Sequence, residues 1–284
     1  MKIFLTGSGG NLGNSYIKFL IKNKIFLIAN YNKRIKKVIK SKFVSYYKKN
    51  ILDKDFQIPE DVDILVHFAS ITTKNKFIFR KKDLKKNILI NKKISKIIKK
   101  KKNIKKIIFL SSVNVYDYKS FGKVNENLKY LPTNLYGKSK IISEKFFRLK
   151  KKKYFIIRIP AILKKYKDCN FINNLFRSFK YKKELQLHNK YNLFNNIILE
   201  KEFFKFLLNI IKNEYKSGVI ILGTKKPISL NSLIKIFENR FSNSINIFWK
   251  KKKKFGFYLN INKAIKHYNY RPLTTKKTIK DYIN

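Results

Sequence analysis

A single cysteine, Cys169, stands in the whole chain, so an internal disulfide framework is excluded and the sequence fits a reducing compartment. No apolar run approaches the ~20 residues of a membrane helix. The start, MKIFLTGSGG, holds too short an apolar stretch for a secretory leader before its glycines begin. A cytoplasmic protein with no membrane partner is therefore expected. Histidine occurs only at 67, 188 and 267, without the spacing of a metal site, so no metal is expected. No stretch rich in proline, glycine and serine divides the chain as a linker, and no internal repeat shows. Acidic residues are scarce, 16 against 68 Lys and Arg, which leaves a formal net charge of +52.

What is abundant bounds the class. Hydrophobic residues make up 44% of the chain and aromatics 15%, which excludes a disordered chain, and 284 residues can bury a sizeable core. The excess of Lys, Asn, Ile, Phe and Tyr over Ala and Gly is the residue set of an AT-rich coding sequence. Basic residues are spread along the chain, as in KKKKNIKK (99–106) and WKKKKKF (249–255), where a nucleic-acid arm would cluster. No specific nucleic-acid partner is expected, only weak attraction to polyanions.

Apolar runs alternate with amphipathic ones over the first two-thirds. Strands are expected near 2–6, 25–29, 42–47, 63–69, 106–111, 154–159 and 218–222, with helices near 11–23, 82–101, 134–151 and 199–213. Alternating strands and helices imply α/β architecture, a Rossmann-like doubly wound parallel sheet. The strands read as continuous apolar runs, as expected when helices cover both faces. A helix is expected over 228–241 behind a Ser229 or Asn231 cap, and more helix within 260–283. The expected division is a dinucleotide-binding domain over 1–160 and a small substrate-binding lobe over 161–284, with the strand near 218–222 returning to the sheet.

Four of the nine glycines fall between 7 and 13, in KIFLTGSGGNLG. In a chain this poor in glycine that clustering demands a reason. Gly7 permits a tight turn, Gly10 lets the backbone approach a pyrophosphate, and Gly13 lets the helix pack on the strand. The helix N-terminus then offers N–H groups and a positive dipole end to phosphate. The end of the second strand, IANYNKR (28–34), carries no acid for a ribose 2′-hydroxyl; Asn30 is there to bond the ribose and Lys33 or Arg34 to meet a 2′-phosphate, a slight lean toward NADP.

Tyr136 and Lys140, in TNLYGKSK (133–140), form the chain's one Tyr-x-x-x-Lys match, although chance alone would give about three or four. At i and i+4 they share a helix face, and an ammonium beside a phenol is expected to lower the phenol's pKa toward neutrality. Taken with TGSGGNLG (6–13), VDILVHFAS (62–70), FLSSVNVYD (109–117), LYGKSKIISE (135–144) and NYRPLTTKKTI (269–279), the chain resembles the extended short-chain dehydrogenases/reductases, the NAD(P)-dependent nucleotide-sugar epimerase/dehydratase family. The resemblance spans most of the chain. It implies that Ser112, Tyr136 and Lys140 are catalytic. It also implies that Gly7, Gly10, Asn11, Leu12, Gly13, Asn50, Ile51 and Ala69 bind NAD or NADP together with Tyr136 and Lys140. Asn87 matches a family asparagine, without its usual following Gly-Thr. Glu144 reads as an exposed helix charge. A nucleotide-sugar substrate and a homodimer through the helices at 82–101 and 134–151 follow from the same resemblance.

Departures from the family narrow the reaction. The dehydratases' Asp-Glu pair is replaced by Val113 and Asn114, and the cysteine of a fucose-synthase-type mechanism is absent from position 114. The substrate-holding asparagine of epimerases is replaced by Ala161. An epimerase and an NADPH-dependent ketosugar reductase both remain. A non-catalytic nucleotide- or RNA-binding protein on the same fold is the competing class; such relatives often lack the Tyr or Lys that this chain keeps.

Overall fold

The computed structural model describes residues 1–35, 37–72, 78–116, 122–128, 132, 134–164, 170–242, 244–251 and 256–284. The elements of the first half are β1 (Lys2–Thr6), α1 (Asn11–Lys22), β2 (Phe26–Tyr31), β3 (Val44–Lys48), β4 (Ile64–His67), α2 (Lys81–Lys100), β5 (Lys106–Ser112), a 3-10 turn (Val113–Val115), β6 (Gly122–Val124) and α3 (Leu135–Phe147). There follow β7 (Lys153–Ile159), β8 (Ala161–Leu163), α4 (Phe171–Lys180), β9 (Leu185–His188), β10 (Leu193–Phe194), β11 (Ile197–Leu199), α5 (Glu200–Lys212) and β12 (Gly218–Ile221). The chain closes with β13 (Ile228–Ser229), α6 (Leu230–Phe241), β14 (Ile247–Lys250), β15 (Phe257–Leu259), α7 (Asn262–Tyr268) and α8 (Thr275–Ile283).

Seven strands form one sheet in the order β12-β7-β5-β4-β1-β2-β3. Strand β1 pairs in parallel with β2 on one side and β4 on the other, and β2–β3 and β4–β5 are parallel too. The order reverses at β1, so the crevice beyond the ends of β1 and β4 is the switch point where such sheets take ligands. The Rossmann-like α/β sheet expected from the sequence is present, and each of its seven strands falls on an expected run. The reason is burial: Ile3, Phe4, Leu5, Leu65, Val66, Ile107, Ile108, Ile156 and Ile157 are fully covered, which selects continuous apolar strands.

Contacts within the chain divide it into two compact units. The first comprises 1–112, 134–158 and 210–219, the second 113–133, 159–209 and 220–284. The first is cored by Phe4, Ile94, Phe109, Phe147 and Ile156 among others, with Phe109 and Phe147 stacked at 4.4 Å. Helix α2 turns a stripe at 83, 87, 90, 91, 94, 95 and 98 inward, the helical period of a half-buried helix, and its lysines lie on the other face.

The second unit has its own core, built on Leu163, Ile172, Phe179, Leu233, Phe237 and Ile279. It contains the pairs β8–β11, β6–β15 and β9–β14, all parallel, and the antiparallel pair β10–β13. Ser229 caps α6, accepting from Ser232 N, as one of the two expected cap residues. The segment 260–283 breaks into α7 and α8 because Asn269 takes a left-handed conformation (φ +48°) and Pro272 follows. Among the described residues, no helix is long and apolar enough to cross a membrane.

Candidate active site

The glycine turn joins β1 to α1. Gly7 lies at φ +73°, and a Cβ there would stand 2.6 Å from Ala69 N. Both facts demand glycine, since a side chain would be strained and would push the end of β4 away. A Cβ on Gly13 would come within 2.3 Å of Gly7 O, so the helix could not close on its own turn. Gly10 differs. A Cβ there meets only Gly7 O at 3.4 Å, so the protein itself leaves space above it. Helix α1 starts with no side-chain cap and no acid in its first turn, so the N–H groups of Asn11, Leu12 and Gly13 face that space without a carboxylate competitor. An uncapped positive helix end beside a vacant Cβ position fits a pyrophosphate.

A buried polar chain ties this turn to α2. Ala69 N donates to Thr6 Oγ1 (3.2 Å), Thr6 Oγ1 meets His67 Nδ1 (2.6 Å), and His67 Nε2 meets Asn91 Oδ1 (2.7 Å). Asn91 Oδ1 can only accept, so Nε2 carries the imidazole proton and Thr6 donates to Nδ1. Burial holds the imidazole neutral, its pKa pushed down to about 3. Asn91 Nδ2 then donates to the Asn87 carbonyl, and the Asn87 amide clamps Ile71 twice, accepting from its N–H (2.8 Å) and donating to its carbonyl (3.0 Å). The sequence reading gave His67 no role beyond the absence of metal spacing. A histidine, an asparagine and a threonine among buried apolar positions were the signal.

Asn50 and Ile51 lie in a tight turn after β3. Asn50 Oδ1 accepts from Leu52 N (3.2 Å) and its amide donates to Asp53 (2.9 Å). Ile51 is buried in the core of the first unit. Asn30 is also buried, and its amide donates to the carbonyls of Tyr47 and Lys49. It braces β2 against β3, where the sequence reading offered it to a ribose.

Helix α3 carries the remaining groups. Asn134 caps it, its Oδ1 accepting from Gly137 N at 2.7 Å, which fixes Tyr136 in the first turn and Lys140 one turn on. Lys140 Nζ donates to Leu110 O at 2.8 Å and lies over the rings of Phe109 (5.1 Å) and Tyr136 (5.6 Å). Leu110 is two residues before Ser112, at the end of β5, so the structure brings the three expected catalytic residues to one pair of elements. Phe79 sets its ring edge-on to Tyr136 at 5.5 Å.

Two expectations fail here. The Tyr136 phenol was expected below its usual range; desolvation instead pushes it well above. The same desolvation pushes Lys140 down to about 7, against a smaller opposing pull from Glu144. Burial outweighs the ammonium's effect on the phenol. Glu144, expected on the surface, is 1% exposed. It accepts from Ser111 Oγ (2.6 Å), Arg158 Nε (3.0 Å) and Arg158 Nη2 (2.9 Å). Arg158 is the lone charge in the apolar run YFIIRI, and a buried arginine needs an acid; that was the readable signal.

In the second unit, Val113 is buried, Asn114 is exposed in the 3-10 turn, and Ala161 N donates to Asn196 O (3.3 Å) as β8 begins. Among the described residues no group of three or more His, Cys, Asp or Glu could hold a metal ion; Cys169 lies outside them.

Sheet order, glycine turn and α3 together place the chain in the Rossmann class of α/β folds. Residues 1–192 match the family described as RmlD substrate binding domain. The chain belongs to this family, and with it to the extended short-chain dehydrogenases/reductases that its motifs resemble. A protein of Methanocaldococcus jannaschii, provisionally named a UDP-glucose 4-epimerase, is 24% identical over 99% of this chain and 97% of its own length. The UDP-glucuronic acid 4-epimerase of Bacillus cereus, solved with NAD, has a TM-score of 0.78 at 19% identity, covering 100% of this chain and 98% of that one. The UDP-glucose 4-epimerase of Thermotoga maritima, solved with UDP-glucose, has a TM-score of 0.74 at 18% identity, covering 100% and 97%. At these identities the solved structures share the fold.

Proposed function

We propose that this protein is an NAD-dependent nucleotide-sugar epimerase that oxidises and re-reduces one hydroxyl-bearing carbon of a UDP-hexose. The observation that carries the reading is the hydrogen bond from Lys140 Nζ to the Leu110 carbonyl, which joins the helix of Tyr136 to the strand of Ser112. The similar proteins of both comparisons, named or solved as UDP-sugar 4-epimerases and one of them with NAD, support the substrate class and the cofactor.

The turn at Gly7, Gly10 and Gly13 and the first N–H groups of α1 would hold the dinucleotide's phosphates. Ala69 would flank the cofactor from the end of β4. Asn50 and Ile51 would face its adenine from the turn after β3. Lys140 would bond its nicotinamide ribose, exchanging the Leu110 carbonyl for a hydroxyl. When bound, the oxidised dinucleotide would supply a hydride acceptor and a positive charge that favours a phenolate. With that charge and Lys140 favouring its phenolate, Tyr136 Oη would take the proton of the sugar hydroxyl as that carbon is oxidised, and would return it to the sugar oxygen on re-reduction. Ser112 Oγ donates to the same sugar oxygen in both directions. Such a cycle would consume no net reductant.

A ketosugar reductase is the second reading, and the family match over 1–192 favours it. Mass analysis of the purified protein separates the two. Tightly held NAD with interconversion of UDP-glucose and UDP-galactose supports the epimerase. An empty protein whose turnover consumes NADPH supports the reductase. We further propose a homodimer through α2 and α3, which pack on each other and expose Leu89 and Ile142. The single cysteine supports a cytoplasmic setting.

A further inference from the structure

Glu144 and Arg158 are both charged and both buried, at 1% and 0% exposure. Such a pair is weak evidence for stability, since well-packed apolar residues often do as well. Its position suggests another use. Glu144 lies one helical turn beyond Lys140 and two beyond Tyr136 on α3. Its carboxylate reaches across to Ser111 Oγ on β5 (2.6 Å), while Arg158 on β7 grips both of its oxygens, at 3.0 and 2.9 Å. Ser111 is flanked by Leu110, whose carbonyl receives Lys140, and by Ser112. One carboxylate therefore joins α3, β5 and β7 where the proposed catalytic groups gather.

We infer that Glu144 is a positioning residue: braced by Arg158, it pins Ser111 so that the end of β5 stays in register with the turn of α3 that carries Tyr136 and Lys140, and it keeps a negative charge one turn from Lys140. This deepens the reading of Ser112, Tyr136 and Lys140 as the reacting set and rests on it. Among the described residues, the charged and titratable groups facing Lys140 and Glu144 are few; on α3 itself the neutral Tyr136 ring lies 5.6 Å from Lys140 Nζ. From β7 comes Arg158, from the end of α3 Arg148 (3.8 Å from Glu144 Oε2), and from β4 the neutral His67. Of these groups only Glu144 favours the charged form of Lys140, and it opposes the desolvation that pulls Lys140 down.

The test is Glu144→Gln, which keeps the shape and a hydrogen-bond acceptor and removes the charge. The side-chain carbon resonance of Lys140 is followed against pH, assigned by its absence in Lys140→Met. Its midpoint is expected to fall below that of the wild type. With NAD and UDP-glucose, kcat should fall about ten- to a hundredfold while KM changes less than about threefold, the pattern of a group acting through the reacting set. Glu144→Asp should recover part of kcat. If Glu144→Gln does not fold, Glu144→Gln/Arg158→Met, which removes both charges, gives the same measurement. An unchanged Lys140 midpoint, or an unchanged kcat in a folded variant, would overturn the inference. The Lys140 titration needs no turnover, so an inactive wild type would count against the proposed reaction and leave the clamp to be judged by the titration.

Discussion

Lys140 donates to the carbonyl of Leu110 at 2.8 Å, so the helix bearing Tyr136 and the strand ending in Ser112 are tied together. That tie places an amine in a desolvated position, with its pKa pushed down to about 7. Folded and unfolded states therefore bind different numbers of protons. Between about 7 and the ordinary lysine value near 10.5, the unfolded chain holds a proton at this position that the folded chain has released. Stability contributed by this group thus rises with pH across that window and is lost as pH falls toward 7. Chemical denaturation of the wild type and Lys140→Met at several pH values checks this. The stability difference between them should shift in favour of the wild type from pH 7 to 10. A difference independent of pH would contradict it.

The three motif glycines should fail differently. Gly7→Ala meets a positive φ and the Ala69 backbone, and should lower stability by about 1–3 kcal/mol or more. Gly13→Ala meets the Gly7 carbonyl and should behave alike. Gly10→Ala has room in the fold, so its melting temperature should stay close to wild type while NAD affinity falls at least about tenfold. Thermal melts beside NAD titration by calorimetry separate the cases. Full NAD affinity in Gly10→Ala would remove the pyrophosphate from this turn.

His67 should not titrate in the ordinary histidine range. Its imidazole is buried between Thr6 and Asn91 with its pKa pushed to about 3, so the ring stays neutral with the proton on Nε2. Nitrogen-15 spectra should show one Nε2–H tautomer, unchanged from pH 5 to pH 8. A midpoint near 6.5, the ordinary value for histidine, would mean that the Thr6–His67–Asn91 chain does not form.

Light scattering tests the dimer. Helix α2 carries a dense lysine surface, so self-repulsion should make association stronger as salt screens it. A mass near 68 kDa, twice the 34.0 kDa chain, is expected at physiological salt. A monomeric mass there and at higher salt would contradict it.

Much of this was legible in the sequence, for reasons that particular residues make clear. The seven sheet strands announce themselves because burial on both faces leaves no polar position between Ile3 and Leu5 or between Ile107 and Leu110. The glycine turn stands out because the chain otherwise spares glycine. Helix α4 was not read, although Ile172, Leu175, Phe176 and Phe179 follow a helical period and Asn170 caps them; the aromatic and asparagine content blurs helix into strand there. The short strands β8 to β11 offer two to four residues each, too few for periodicity to speak. At the site, Tyr136 and Lys140 could be found by spacing, but their electrostatics could not. Whether an ammonium lowers a phenol or burial raises it depends on depth, which no spacing records. Glu144 was misjudged for the same reason, because its partners Ser111 and Arg158 are brought to it only by the sheet.

The proton role of Tyr136 is the centre of the account, and one measurement bears on it most directly. Purified protein and its Tyr136→Phe variant, each loaded with NAD, are given UDP-glucose, and conversion to UDP-galactose is timed. The phenol's hydroxyl is all the substitution removes, so kcat should fall by about 10²–10⁴ while NAD stays bound and UDP-glucose affinity is little changed. Conversion at the wild-type rate in Tyr136→Phe would contradict the assignment of this residue as the acid/base, and with it the proposed mechanism.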